Sequence, residues 1–204
     1  WGVVQRELEM NASNPIRLKY KLFDELRYKV HPAKFPVIGH QKIVQKVTRQ
    51  EVLDYYKRKY TPDNCVVVVV GDFEVEKMYE AVAREFADFS RGYSLTTVLP
   101  AEPPITSPRE ITQIVPSLRG PSMLTVGFPS FDLLHKDLYA LDTLAGVLGQ
   151  SKSSILYKRL REKDELVLSV LSYNATPAYA AGSFQIHCNL PAVHIDKAKA
   201  VIWE

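Results

Sequence analysis

The fold prediction rests first on the stretch YTPDNCVVVVVGDF, residues 60–73. Its five consecutive valines are β-branched and apolar on both faces, which is the pattern of a strand covered on both sides. TPDN indicates a turn before the valines, and Gly71 and Asp72 end the strand. The segment EVEKMYEAVAREFADF follows with apolar residues in helical period. We therefore expect a buried strand and a returning helix, which together form one αβ layer.

An amphipathic helix and a loop precede this layer. In SNPIRLKYKLFDELRYKV, Ser13 and Asn14 are the N-cap candidates, and Pro15 stands where the first turn of a helix tolerates proline. Apolar residues at helical spacing predict that one face of this helix lies on a core. The next segment, HPAKFPVIGH, holds two prolines and a glycine, so we expect a shaped loop.

A second helix leads directly into the valine strand. Thr48 is followed three residues later by Glu51, which is the spacing of a capping box. We therefore expect the helix TRQEVLDYYKRKY to begin at Thr48.

The second half of the chain repeats the alternation of helices and strands. It follows a proline-rich stretch, residues 99–108, which is typical of a linker. The predicted strands are EITQIV, SMLTVGF and the pair LVLSVLSYNA and GSFQIHCNL. The predicted helices are LLHKDLYALDTLAGVLG, closed by Gly149, then SKSSILYKRLREK, and finally HIDKAKAVIWE.

These elements predict an α+β fold of two consecutive, similar αβ domains, each a sheet covered by helices. We place the first domain at residues 1–98, the linker at 99–108 and the second domain at 109–204. The opening stretch WGVVQRELEM begins inside a helical pattern, and the final helix is cut by the end of the chain. We therefore expect the first domain to be incomplete at its N-terminus and the second at its C-terminus.

Composition excludes some classes of protein. The 204 residues are 46% hydrophobic and 24% charged, which is ordinary for a globular protein. The 26 basic residues are interspersed with 23 acidic ones, which argues against a nucleic-acid partner. No apolar stretch approaches the roughly 20 residues of a membrane span. Cys65 and Cys188 each lie in an apolar run, so we expect two buried thiols, with a disulfide as the open alternative.

Self-contained catalytic motifs are absent from the sequence, including phosphate loops, nucleophile elbows, Cys-x-x-Cys pairs and His-Glu-x-x-His helices. The five histidines never occur at the i, i+4 spacing of a helical metal site. We expect His31 to be a turn residue and His135 to lie near a helix start. His187 and Cys188 are adjacent in a predicted strand and point to opposite faces, so a zinc site with His194 is a weaker alternative to ordinary packing.

The opening helix carries two carboxylates, Glu7 and Glu9. Side chains two positions apart on a helix are separated by about 200° around its axis, so one carboxylate can face inward while the other faces water. Val3, Val4 and Leu8 mark the apolar side, and Glu7 lies beside it, so Glu7 is the inward candidate. By themselves, these residues favour a solvated surface charge, because most glutamates are exposed.

Taken in order, these segments resemble the pitrilysin- and insulinase-type (M16) zinc metallopeptidases. The HPAKFPVIG loop, the helix from Thr48, YTPDN and VVVVVGDF are similar to the late part of the family's first domain. DLYALDTLAGVLGQSKSSILYKRLRE is similar to its next domain. The resemblance runs across nearly the whole chain.

The resemblance implies a zinc site that this chain would share with residues outside it. In the family, an inverted His-x-x-Glu-His motif supplies two histidine ligands and a general-base glutamate, and a glutamate in a VVxxE stretch is the third ligand. Val3-Val4-Gln5-Arg6-Glu7 falls on that stretch, which implies that Glu7 is the distal zinc ligand. The catalytic residues are expected upstream of Trp1. The 204 residues alone are therefore expected to bind no Zn²⁺ and to have no peptidase activity.

The family implies a zinc-dependent endopeptidase that hydrolyses unfolded peptides inside a clamshell chamber, holding them as an added strand. The implied partners are peptide substrates and either a homodimer or heterodimer mate or a second homologous half. A non-catalytic partner subunit that acts as a scaffold is the alternative. The resemblance favours the bacterial cytoplasm or periplasm. An unrelated αβ binding module ranks last, because it would make the ordered set of matching segments a coincidence.

Overall fold

The computed structural model describes residues 2–89, 97–115 and 119–204. The chain divides into two compact units, one made of the residues up to Ile38 together with Leu99–Glu204, the other of Gly39–Val98. The division into domains at 1–98 and 109–204 stays a prediction. No helix within the described ranges is long and apolar enough to cross a membrane.

Seven α-helices, one π-helix and three strands are present in the described ranges. The α-helices are α1 (Gly2–Ser13), α2 (Pro15–Arg27), α3 (Gln41–Val44), α4 (Arg49–Lys59), α5 (Val75–Glu85), α6 (Leu138–Gly149) and α7 (Ile195–Trp203). The strands are β1 (Ser122–Pro129), β2 (Ser169–Ala175) and β3 (Ser183–Leu190), and the π-helix is Tyr157–Lys163. This mixture of helices and one sheet confirms the predicted α+β class.

The first unit is built on a three-stranded antiparallel sheet in the order β1-β3-β2. Side chains alternate between its faces, so β3 presents Phe184, Ile186, Cys188 and Leu190 to one side. These four belong to a buried apolar cluster with residues of α6, the π-helix and α7. Ser183, Gln185 and His187 alternate with them, and we call the side they occupy the polar face of the sheet.

Helix α6 approaches the sheet closely at its last residue. A Cβ on Gly149 would lie 2.6 Å from Ser172 Oγ and 2.8 Å from the Ser172 backbone nitrogen. Ser172 is buried, and its hydroxyl donates to the Ala145 carbonyl over 2.8 Å. The predicted helix does end at Gly149, and the close packing on β2 requires a glycine there.

The predicted helix SKSSILYKRLREK is present, but its main part is a π-helix rather than an α-helix. Leu160 in this element is fully buried, and its carbonyl accepts hydrogen bonds from the backbone amides of Leu166 (2.8 Å) and Val167 (3.3 Å). The chain therefore reverses directly onto the core before β2 begins.

The second unit contains α3, α4 and α5. Thr48 caps α4 through the predicted capping box: its hydroxyl oxygen accepts from the Glu51 amide (3.3 Å), while the Glu51 carboxylate accepts from the Thr48 amide (2.7 Å). The predicted start of α2 is also confirmed, because Asn14 is its N-cap and Pro15 is its first helical residue.

Two predicted strands are wrong. Residues 65–70 and 110–115, both described, form no strand. Val66 and Val70 are 89% and 91% exposed, and Ile114 is 78% exposed. A β-branched run specifies a segment that suits a sheet, but a strand forms only where a second strand completes the hydrogen-bond ladder. In the part of Gly39–Val98 that the structure describes, every regular element is a helix.

The two cysteines differ from each other. Cys188 is buried as predicted, and burial raises the pKa of its thiol to about 12. Cys65 is exposed, so its predicted burial is wrong, because the valine run around it lacks a covering sheet. Both thiols are free, which corrects the disulfide alternative.

Candidate functional site

Glu7 lies in the middle of α1 and is exposed. Glu9 is exposed too, and its carboxylate accepts a hydrogen bond from Gln5 Nε2 over 3.2 Å. Val4 and Leu8 are partly covered, whereas Val3 is exposed. Burial therefore does not separate the two carboxylates, and the role of Glu7 as distal zinc ligand stays a prediction.

The described residues contain no group of three or more His, Cys, Asp or Glu side chains that could hold a metal ion. Glu7 is one candidate ligand, and one carboxylate falls short of the three protein ligands of a catalytic zinc. The residues in the described ranges therefore do not form a zinc site by themselves.

His31 and His135 have structural roles. His31 is buried and caps the short 3-10 helix Pro32–Lys34, because its Nδ1 accepts from the Ala33 amide over 3.1 Å. His135 precedes α6, and its Nδ1 accepts from the Asp137 amide over 3.2 Å. Both positions agree with the predicted turn and helix-start roles.

His194 does not join His187 and Cys188 in a metal site. Its Nδ1 is 3.2 Å from the Leu166 carbonyl oxygen, to which it donates because a carbonyl only accepts. This contact ties the loop before α7 to the turn before β2. His187 is engaged elsewhere, on the polar face.

His187 is the centre of a hydrogen-bond network on the polar face. Its Nε2 lies 3.0 Å from Gln185 Oε1, and its Nδ1 lies 2.9 Å from Thr125 Oγ1 on β1 and 3.0 Å from Lys19 Nζ on α2. Tyr173 on β2 stacks on the imidazole at 5.0 Å and 10° and also donates its hydroxyl to Gln185 Oε1. The network therefore joins all three strands to α2.

This geometry fixes the protonation state of His187. The Gln185 carbonyl oxygen only accepts, so Nε2 carries the hydrogen, and Nδ1 accepts from the Thr125 hydroxyl and the Lys19 ammonium. Burial, followed by the positive charge of Lys19, lowers the pKa of His187 to about 4. Burial also lowers the pKa of Lys19. The imidazole is thus neutral at pH 7, and both its nitrogens are hydrogen-bonded.

Phe23 and Arg27 of α2 make further contacts with the sheet and with the segment that precedes β3. The ring of Phe23 covers Gly127 on β1, where a Cβ would come within 2.5 Å of Phe23 Cζ. Arg27 donates from Nη2 to the Ala181 carbonyl. Helix α2 therefore lies across the polar face, held by a charge-assisted contact, an aromatic contact and a terminal hydrogen bond.

The proline-rich connection is bound to the C-terminal end of α2. The Glu102 carboxylate accepts from three consecutive backbone amides, those of Lys29 (2.5 Å), Val30 (3.0 Å) and His31 (2.9 Å). Arg109 Nη1 donates to the carbonyls of Leu26 and Arg27, both at 2.9 Å. Arg109 thus satisfies carbonyl groups that the end of a helix leaves without partners, whereas Glu102 binds the amides of the segment that follows α2.

We expect Glu102→Gln to lower the free energy of unfolding by about 1 kcal/mol at pH 7, because an amide replaces a charge-assisted acceptor of three N–H groups. Burial acts to raise the pKa of Glu102, but the backbone hydrogen bonds from His31, Lys29 and Val30 outweigh it and lower the pKa. Its stabilisation is therefore present above the ordinary glutamate pKa and is lost as pH falls through the lowered value.

The matched control is Glu110→Gln, because Glu110 makes an exposed contact with Lys199 at 2.8 Å. Urea unfolding of both variants at pH 7 measures the difference. Equal effects in the two variants would contradict a special role for Glu102.

Comparison with known proteins identifies the family. The model of the "Peptidase M16 inactive domain" family matches residues 46–204. The chain belongs to the M16 peptidase family. The resemblance inferred from the HPAKFPVIG loop, the capping box and the SSILYKRLRE segment is thereby confirmed.

Curated relatives of this M16 chain are named as zinc proteases. The zinc protease PqqE of Helicobacter pylori is 28% identical over 175 residues, which are 84% of this chain and 39% of that protein. The uncharacterized zinc protease YmxG of Bacillus subtilis is 26% identical over 178 residues, 86% of this chain and 41% of that protein. The chain thus spans about two fifths of the length of these relatives.

Solved structures share the fold. A protease from Helicobacter pylori superposes with a TM-score of 0.84 at 24% identity, over 98% of this chain and 50% of that one. A peptidase M16 inactive domain from Pseudomonas fluorescens superposes with a TM-score of 0.79 at 20% identity, over 98% of this chain and 48% of that one. Identities of this size show the fold alone.

Sequence reasoning missed the network around His187. Ser183, Gln185 and His187 occupy alternate positions in GSFQIHCNL, so a polar face with period two was visible in the sequence. The partners Lys19, Thr125 and Tyr173 lie far away along the chain, and no local pattern links them to β3.

Proposed function

We propose that these residues are part of a zinc-dependent endopeptidase that hydrolyses unfolded peptides inside a chamber closed by two homologous halves. The observation that carries this proposal is the match to relatives named zinc proteases over 84–86% of the chain. The VVQRE stretch of α1 resembles the third-ligand stretch of the family. Glu7 in that stretch is the proposed distal ligand of the zinc ion. The proposed partners are the peptide substrate and a second, homologous half.

A second candidate is a non-catalytic subunit that completes the chamber of an active partner. The specific observation in its favour is that the family model matching residues 46–204 describes an inactive domain. Both candidates use the same fold, and they differ in whether the complete protein holds a metal of its own.

Peptide hydrolysis by the complete protein separates the two candidates. We expect the complete protein to cleave an unfolded, fluorescence-quenched peptide, to lose this activity on chelation and to regain it with Zn²⁺. The chain of residues 1–204 alone is expected to be inactive in the same assay. An inactive complete protein that accelerates cleavage by a zinc-bearing M16 partner would contradict the first candidate and support the second.

A further inference from the structure

We propose that His187 is a positioning residue that holds α2 on the polar face of the sheet and releases α2 when the imidazole is protonated. We call His187 and its contacts with Lys19, Thr125 and Gln185 the clasp. Because only Asn14 separates α1 from α2 along the chain, the clasp would also set where α1, and with it Glu7, stands. The part of the proposal that concerns Glu7 rests on the proposed function. The clasp itself does not.

His187 links helix α2 to the three-stranded sheet through direct side-chain contacts. The residue is buried on β3, and its Nδ1 contacts both Thr125 on β1 and Lys19 on α2, while its Nε2 contacts Gln185 on β3. Tyr20, the neighbour of Lys19, meets the imidazole edge-on at 5.9 Å. The imidazole therefore contacts α2 and both outer strands of the sheet.

Protonation of His187 would disrupt these contacts at Nδ1. The proton would have to bind Nδ1, which now accepts hydrogen bonds, so the imidazolium would face the Lys19 ammonium across 3.0 Å. Like charges at that distance in a buried site repel strongly, and water would need to enter to separate them. Moving α2 away from the sheet is the way to admit that water.

The described groups in contact with His187 carry no negative charge. Helix α2 contributes Lys19 and Tyr20, β1 contributes Thr125, β2 contributes Tyr173 and β3 contributes Gln185. Burial, followed by a hydrogen bond with Tyr20, raises the pKa of Tyr173, so its hydroxyl stays neutral. Asp24 on α2 acts on Tyr173 from further along the helix, and burial raises the pKa of Asp24 as well.

The lowered pKa of His187 sets the direction of the pH effect. The docked state holds the imidazole neutral down to about pH 4, whereas a released imidazole titrates near its ordinary value of 6.5. Docking is therefore fully stable above pH 6.5 and weakens as pH falls from 6.5 towards 4. At pH 5 the docking equilibrium is expected to shift by roughly 30-fold relative to pH 7.5.

Hydrogen exchange of the complete protein tests the clasp. We expect the amides of α2 to lose protection by roughly 30-fold between pH 7.5 and pH 5, after correction for intrinsic exchange rates, while β3 keeps its protection. His187→Gln should remove this pH dependence, and Lys19→Met should reduce it because the repelling charge is gone. His135→Gln is the matched control, since His135 contacts the loop before α6 and should leave the effect unchanged. The proposal would be overturned if protection of the α2 amides in the parent did not depend on pH. It would also be overturned if His187→Gln lost the same protection as the parent between pH 7.5 and pH 5.

Zinc affinity separates the clasp from the proposed function. In the complete protein, His187→Gln is expected to weaken zinc binding several-fold at pH 7, measured by competition with a chelator. If Glu7→Gln weakens zinc binding but His187→Gln does not, the positioning role of His187 is overturned. If Glu7→Gln has no effect on zinc, the proposed zinc site fails, and the exchange experiment still decides the clasp.

Discussion

Leu160→Ala is expected to lower the free energy of unfolding by about 3 kcal/mol, within the range of 2–5 kcal/mol for a buried leucine. Leu160 is 0% exposed and belongs to the apolar cluster between the sheet, α6 and α7. Its carbonyl also accepts the backbone hydrogen bonds that turn the chain towards β2. The deleted methyl groups would leave a cavity that this doubly anchored segment cannot close by shifting.

The same substitution at an exposed leucine is the control for this measurement. Leu134 is 93% exposed, so Leu134→Ala is expected to change stability by less than about 0.5 kcal/mol. Urea unfolding followed by circular dichroism compares the two variants with the parent. A loss below about 1 kcal/mol for Leu160→Ala would contradict a tightly packed core around the π-helix.

Helices in this protein are predicted well because their signals are local. Asn14 and Pro15 start α2, Thr48 and Glu51 start α4, and Gly149 ends α6, each within one turn of the helix it controls. Caps and glycine ends act on backbone groups a few residues away, so the sequence alone identifies them.

Strands are predicted less well because each depends on a distant partner. GSFQIHCNL is a strand because β1 and β2 lie on either side of it. The run Val66–Val70 has a stronger β pattern, yet it forms no strand in the described structure. Apolar, β-branched composition shows that a segment suits a sheet, whereas the ladder itself depends on where the neighbouring strand comes from.

The two candidate sites also differ in how far the local sequence predicts them. The local pattern places Glu7 beside the apolar Val3, Val4 and Leu8, and its role as a zinc ligand is implied by the family resemblance and stays a prediction. The clasp at His187 needed the structure, because Lys19 and His187 are 168 residues apart in the sequence. Its chemistry follows from burial and from contacts across α2 and three strands, which periodicity cannot supply.

Glu7→Gln is expected to abolish most zinc binding by the complete protein. A neutral amide is a much poorer ligand for Zn²⁺ than a carboxylate, and a three-ligand site tolerates the loss of one ligand poorly. Glu9→Gln is the matched control, because Glu9 is on the same helix, is also exposed and lies about 200° around the axis from Glu7.

The measurement that tests the zinc-peptidase account most directly is the zinc content of the complete protein and these two variants, determined by elemental analysis. The account predicts about one zinc ion per chain in the parent and in Glu9→Gln, and a small fraction of that in Glu7→Gln. A parent protein without zinc, or full zinc content in Glu7→Gln, would contradict it.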